Sequence, residues 1–175
     1  MCSVQVYVGF QRLLDVCQAH AELHGNIFNC YKTVCMTFKA KSAKSTAAPV
    51  LKLGGQYVNS VDQHKYLGLL LDTELSDDKD IQRQLRYQYC AANKLRVSFS
   101  RCSNAVKNVL LRSFCTPMYA FQLWCNFRKS CMQRLRVAYN FGCRALYNLP
   151  WRASVSSHQV QCNIPTFEAL LRKYK

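Results

Sequence analysis

Apolar side chains recur at Phe10, Leu13, Leu14, Cys17 and Ala21, spacings that place them on one stripe of a helix. Gly25 follows where a helix ends in a left-handed cap. The period then changes. Val34, Met36 and Phe38 alternate with Cys35 and Thr37, which predicts a strand over residues 33–39. Residues 39–49 are small, polar and basic and read as an exposed loop. Residues 51–53 and 57–59 flank Gly54-Gly55, a pair suited to the positive φ values of a tight hairpin. Residues 65–71 read as one short apolar strand ending at Asp72.

After Ser76 the pattern becomes helical. Ser76 is placed to cap a helix, and Asp77, Asp78 and Asp80 complement the positive end of its dipole. Ile81, Leu85, Tyr89, Ala92, Leu95 and Phe99 fall on one face, with Arg83, Arg86, Lys94 and Arg101 projecting the other way. Unbroken to Ser100, such a helix is about 35 Å long. Ser103 caps a second helix leading through Val106 and Lys107 to a break at Pro117. A third follows Ser130, with Met132, Leu135, Tyr139, Cys143 and Leu146 inward, Arg134 and Arg144 outward, and an end near Pro150. Thr166, after Pro165, opens a short terminal helix carrying Leu170 and Leu171. The predicted class is α+β: a small β-containing portion over residues 1–75, then a predominantly α-helical bundle over 76–175.

Composition adds a partner. The 175 residues suffice for one core or two small lobes, and half of them are apolar, so the chain folds. Mean hydropathy is slightly negative. The formal charge is +15, and no Asp or Glu occurs from Ile81 through Phe167. Such an excess adds nothing to a fold and repels itself, which points to a polyanionic partner. A nucleic-acid backbone suits cations scattered over helical faces. An anionic membrane surface is the competing reading, but helices that lie on membranes expose a broader apolar face. The best spanning candidate, from Val106 to Trp124, is interrupted by Lys107, Arg112 and Gln122, so no membrane partner is expected. Met1 is not followed by a basic stretch and an apolar run, so the expected location is intracellular, cytoplasm or nucleus, and not secreted.

Chemistry is harder to find. None of the eleven cysteines forms a Cys-x-x-Cys pair, and His20, His24, His64 and His158 do not join them at zinc spacing. Cys17, Cys90, Cys102, Cys115 and Cys143 fall among apolar helical positions and read as reduced core thiols. No phosphate loop, nucleophile elbow or His-Glu-x-x-His occurs. Two-metal chemistry needs converging carboxylates. Asp77, Asp78 and Asp80 are the candidates, but dipole compensation and solvation in a first helical turn account for them. Neither a metal site nor a small-molecule substrate is expected.

One ordered series of blocks goes further. His24-Gly25-Asn26-Ile27-Phe28-Asn29, Lys32-Thr33, Val34-Cys35-Met36 and Lys65-Tyr66-Leu67-Gly68 come first. Asp80-Ile81-Gln82-Arg83-Gln84, Ala92-Asn93-Lys94-Leu95, Arg101-Cys102-Ser103, Ser113-Phe114-Cys115-Thr116-Pro117-Met118-Tyr119, Leu123-Trp124 and Leu135-Arg136-Val137-Ala138-Tyr139-Asn140 follow. From Phe10 onward this order resembles the end of the palm and the thumb of non-LTR (LINE-type) reverse transcriptases. The resemblance implies that the Tyr-Ala-Asp-Asp catalytic motif and the first catalytic Asp lie upstream of this chain. Mg²⁺ then belongs to the complete polymerase, with no cofactor in this chain. Lys32 stands at the lysine of polymerase motif D, which assists protonation of departing pyrophosphate; an ordinary surface lysine is the other reading. Lys65, Tyr66 and Gly68 fall in the primer-grip region, although Tyr66 also reads as a plain strand residue and Gly68 as a point of close backbone approach.

The helices from Ser76 would be the thumb, holding an RNA/DNA template–primer duplex by its phosphates through Arg83, Arg86, Lys94, Arg101, Lys107, Arg134 and Arg144. Tyr87, Tyr89, Phe99, Tyr119, Trp124 and Trp151 either stack on unpaired bases or fill the core. The expectation is a reverse-transcriptase piece that is inactive alone. A non-catalytic basic nucleic-acid-binding protein and a product with no function are the alternatives.

Overall fold

The structure, a computed structural model, describes residues 2–38 and 50–174. The basic loop expected at 39–49 lies outside the described residues. The chain divides into two units, one of residues up to His64 with Asp72–Leu75, the other of Lys65–Leu71 with everything from Ser76. Residues 65–71 thus join the helical unit, where the sequence puts a single boundary at 75/76.

In the first unit, α1 (Cys2–Leu23) ends as Gly25 suggests. Gly25 takes φ +68°, its N–H donates to Glu22 O at 3.1 Å, and Asn26 N–H reaches Ala21 O at 2.8 Å, closing the last turn. Gln11 ties α1 to β2 (Lys52–Leu53) by copying a strand's pairing: its Nε2 donates to Lys52 O at 2.8 Å and its Oε1 accepts from Lys52 N–H at 2.9 Å. Ala21, Leu51 and Leu53 are buried. The rest of the predicted stripe is not: Phe10, Leu13 and Cys17 are exposed, because the two-residue strand on which α1 packs is too short to cover it.

The strand expected over 33–39 shrinks to β1 (Val34–Cys35), paired in parallel with β4 (Asn59–Ser60), itself two residues long. The Gly-Gly hairpin forms with β3 (Gln56–Tyr57) in the register Lys52↔Tyr57 and Leu53↔Gln56. Gly54 and Gly55 take φ +55° and +79°, the signs that a two-residue hairpin turn requires.

Residues 65–71, read as one strand, are a hairpin instead. β5 (Gln63–Tyr66) turns at Leu67-Gly68 and pairs with β6 (Leu69–Asp72). Leu67 has φ +46° and Gly68 φ +85°. A side chain at positive φ costs on the order of 1–2 kcal/mol, and Tyr119 supplies the compensation. Its hydroxyl donates to Leu67 O at 2.6 Å, and its ring lies so close to Gly68 that a Cβ there would stand 2.7 Å from Cε1.

The second unit contains α2 (Asp78–Phe99), α3 (Asn104–Phe114), a 3-10 turn at Phe121–Leu123, α4 (Lys129–Tyr147), α5 (Val155–Gln161) and α6 (Phe167–Tyr174). α2 packs mainly against α4. Small residues allow the approach: a Cβ added at Gly142 would meet Ala92 Cβ at 3.5 Å. Ile81, Leu111, Leu135, Tyr139, Cys143 and Leu146 form the fully buried centre. Truncating one of these leucines to Ala typically costs about 2–5 kcal/mol. Tyr139 carries a polar end into this core and satisfies it by donating to Pro165 O at 2.6 Å, which fixes the approach to α6. Thr166 Oγ1 accepts from Ala169 N–H at 3.2 Å, capping the helix that the sequence opens there. α5 lies outside the predicted elements, since its run is short and mostly polar, with Val155 and Gln159 its buried side chains.

Two glutamines interrupt the apolar face of α2, and both are buried. α3 stops before Pro117, leaving carbonyls without helical partners. Gln88 Nε2 donates to Cys115 O at 2.8 Å and Gln84 Nε2 to Pro117 O at 3.3 Å.

Gly68→Ala is expected to lower stability by about 2 kcal/mol or more, from positive φ and the clash with Tyr119. Tyr119→Phe, which removes the hydrogen bond alone, should cost about 1 kcal/mol. Thermal melts of the two variants test this order, which fails if Phe is the more damaging change.

Candidate nucleic-acid interface

Three of the second unit's four acidic residues turn inward at the start of α2. Asp80 is fully buried: Oδ2 accepts from Trp124 Nε1 at 2.9 Å, and Oδ1 accepts from Leu70 N–H at 3.1 Å and Arg83 Nε at 2.7 Å. Asp78 accepts from Arg128 N–H at 2.8 Å and Arg128 Nε at 2.5 Å. Asp77 Oδ2 accepts from Cys125 N–H at 2.8 Å and Asn126 N–H at 2.6 Å. Together they clasp the chain entering α4 and one strand of the β5–β6 hairpin. Solvation, the reason drawn from sequence, is therefore corrected: buried carboxylates need donors, and these have them. Burial pushes the Asp78 carboxyl up, but its bonds to the Arg128 backbone and guanidinium outweigh that and hold it below the usual range.

With three of its four acids turned inward, the second unit presents cations. Eighteen of the 24 Lys and Arg and four of the nine Asp and Glu fall there, so +14 of the +15 formal charge does too. Arg86, Lys94, Arg101 and Arg134 are exposed, as is Lys65 at the base of the hairpin turn. Arg86 and Lys94 stand about 12 Å apart along α2, on the side away from Ile81, Gln88 and Leu95. Arg96, not singled out from sequence, is exposed on the same helix.

Three of the expected cations are less open than the rest. Arg83 is bound to Asp80, and its Nη2 is buried without a hydrogen-bond partner among the described residues. Lys107 is only 7% exposed, with Nζ 5.9 Å from the centre of the Tyr147 ring. Arg144 is half-buried, with Nη2 3.4 Å from Ala153 O. The helical period puts Arg144 outward although Ala153, beyond the end of α4, lies against it; Arg83 is held by Asp80 of its own helix, and Lys107 stands one turn before buried Leu111. Lys32 is exposed in the first unit, its N–H donating to Asn29 Oδ1 at 3.1 Å in a turn. Its surroundings add nothing beyond an ordinary surface lysine.

Tyr66 is 60% exposed on the hairpin. Among the other aromatics, Tyr87, Tyr119 and Trp151 are exposed, Trp124 is buried, and Tyr89 and Phe99 are half-buried. Cysteines divide similarly. Cys115 and Cys143 are core, as the pattern suggests, and Cys131 joins them, but Cys17 and Cys90 are exposed. Burial pushes the Cys115 thiol to about 12 and Cys143 to about 11, so both stay protonated and unreactive at neutral pH. No helix among the described residues is long and apolar enough to cross a membrane.

What this unit defines is a cationic helical surface on an interior that neutralises its own carboxylates. The chain as a whole is similar to transposon-encoded RNA-directed DNA polymerases. It is 25% identical over 178 aligned positions, 99% of its length, to a probable RNA-directed DNA polymerase from transposon BS of Drosophila melanogaster. It is 25% identical over 148 positions, 82% of its length, to the RNA-directed DNA polymerase from mobile element jockey of the same organism. The chain spans 20% and 16% of these curated relatives, respectively. The relationship to reverse transcriptases is thus distant but extends along nearly the whole chain. No protein-family model and no solved structure matches it.

Asp78 is held below its unfolded value, so its stabilising contribution is complete above a pH of about 4 and disappears as the pH falls through that range. Asp78→Asn should lower the melting temperature at pH 7 and flatten the acid decline seen in the unchanged protein. Parallel melting curves from pH 7 to pH 3 would remove Asp78 from this role.

Proposed function

We propose that this chain is the nucleic-acid-holding part of a retroelement reverse transcriptase, its helical unit serving as a thumb that grips a template–primer duplex by the phosphates. The separation of charge carries the reading: the first unit is close to neutral, while the second bears nearly all the excess and engages three of its four acids in hydrogen bonds at the start of α2. A part that must let any sequence slide past needs phosphate contacts and no base-edge readout. Arg86, Lys94, Arg101, Arg134 and Lys65 supply the exposed cations, and the pinned Leu67-Gly68 turn offers a stiff backbone feature to support a strand end. The similarity to two transposon polymerases supports a nucleic-acid partner in general.

The magnesium ions of such polymerases do not fit the residues here. Asp77, Asp78 and Asp80 already accept from backbone, guanidinium and indole donors, so we assign them to structure. The reading is that the chain binds without forming bonds.

Two measurements test this. Arg86→Ala, Lys94→Ala and Arg101→Ala together should weaken duplex binding equally for unrelated sequences. They should also flatten the dependence of log affinity on log salt by about 0.9 for each phosphate the variant no longer touches. An unchanged slope removes these residues from the interface. Primer extension with added Mg²⁺ should give no product; sustained incorporation would show that the chain carries catalytic groups of its own.

A further inference from the structure

Beside the cationic side of α2 lies a cleft of about 570 Å³, within the size range of small-ligand sites. Arg83 and Tyr87, one turn apart on α2, form one wall, with Tyr119, Gln122 and Leu123 opposite and Met118 buried between. We propose that this cleft receives a single unpaired nucleobase, stacked on the tyrosines, at the end of a duplex whose backbone lies on Arg86 and Lys94. The proposal rests on the nucleic-acid reading above and adds a second mode of contact to it.

Three observations point to a base. First, the walls are aromatic and open, with Tyr87 46% and Tyr119 60% exposed. Flat rings left in water gain from a flat partner, and every base has such a face. Second, one ring is already fixed. Tyr119 is held by its hydroxyl at Leu67 O and by its packing on Gly68, so little rotamer freedom remains to be given up on binding. Third, the polar groups include a cation and, among the described residues, no anion. Arg83 lines the cleft, its guanidinium oriented through Nε by Asp80. Gln122 adds an exposed amide. Among the described residues no carboxylate lines the cleft, so neither a base edge rich in acceptors nor its attached phosphate is repelled. Tyr87 follows Arg86 directly, which makes the cleft continuous with the phosphate-binding positions rather than a separate site.

The test uses the full chain with two DNA duplexes, one blunt and one ending in a single unpaired 2-aminopurine at the 3′ terminus. Binding should quench the 2-aminopurine, and the overhang duplex should bind about tenfold more tightly than the blunt one, the scale of one stacked base. Tyr87→Leu should abolish the quench and the preference while leaving blunt-duplex affinity within about twofold; Tyr87→Phe should retain both. Equal affinity for the two duplexes without quenching, from the unchanged protein, overturns the cleft while the phosphate-binding surface stands. Failure to bind either duplex overturns both. Millimolar deoxyadenosine monophosphate that reverses the quench shows that a free base suffices, whereas failure to reverse it shows that the connected strand is needed; either result keeps the cleft as a base site.

Discussion

A carboxylate with no access to water must be met by donors on every side, and the second unit is organised around that demand. Asp80 draws together an indole from the 3-10 region, a guanidinium from its own helix and a backbone N–H from the hairpin. Asp78 and Asp77 do the same for the chain entering α4. Removing one partner of such a cluster leaves an uncompensated buried charge, typically at a cost of about 3–5 kcal/mol. The cluster therefore sets where α2 begins and which loop lies beside it.

The same arrangement has an electrostatic result. A protein with both signs on its surface offers a polyanion attraction and repulsion together. Here the carboxylates near α2 are turned to internal donors, two of them to arginines, and the unit keeps a large excess of arginines and lysines. This links a folding constraint to the proposed binding role: the acids that hold the unit together are also the ones that would otherwise weaken its grip.

Much of this is legible in the sequence, and the failures have a common cause. The periods of α2, α3 and α4 follow from their apolar spacing, and the caps at Gly25 and Thr166 and the Gly54-Gly55 turn follow from local chemistry. What periodicity does not contain is which loop covers which side chain. For that reason it turns Arg144 outward and makes Asp77, Asp78 and Asp80 look solvated. The hairpin at Leu67-Gly68 escapes it because leucine rarely accepts positive φ, and the compensation by Tyr119 comes from 52 residues further on. Exposure of Phe10 and Leu13 shows the converse, an amphipathic pattern with too little within its unit to cover it.

Gln84 and Gln88 carry a consequence of a different kind. Greasy surfaces slide over one another at small cost, because one apolar neighbour serves almost as well as the next. A pair of amides on successive turns, each aimed at a particular carbonyl beyond the end of α3, removes that freedom, for a shift of one turn would leave one carbonyl without its amide and a smaller shift would strand both. The two helices are thus indexed to each other like gear teeth. The pitch at which α2 offers its charged side to an approaching backbone is set by two uncharged side chains on its hidden side.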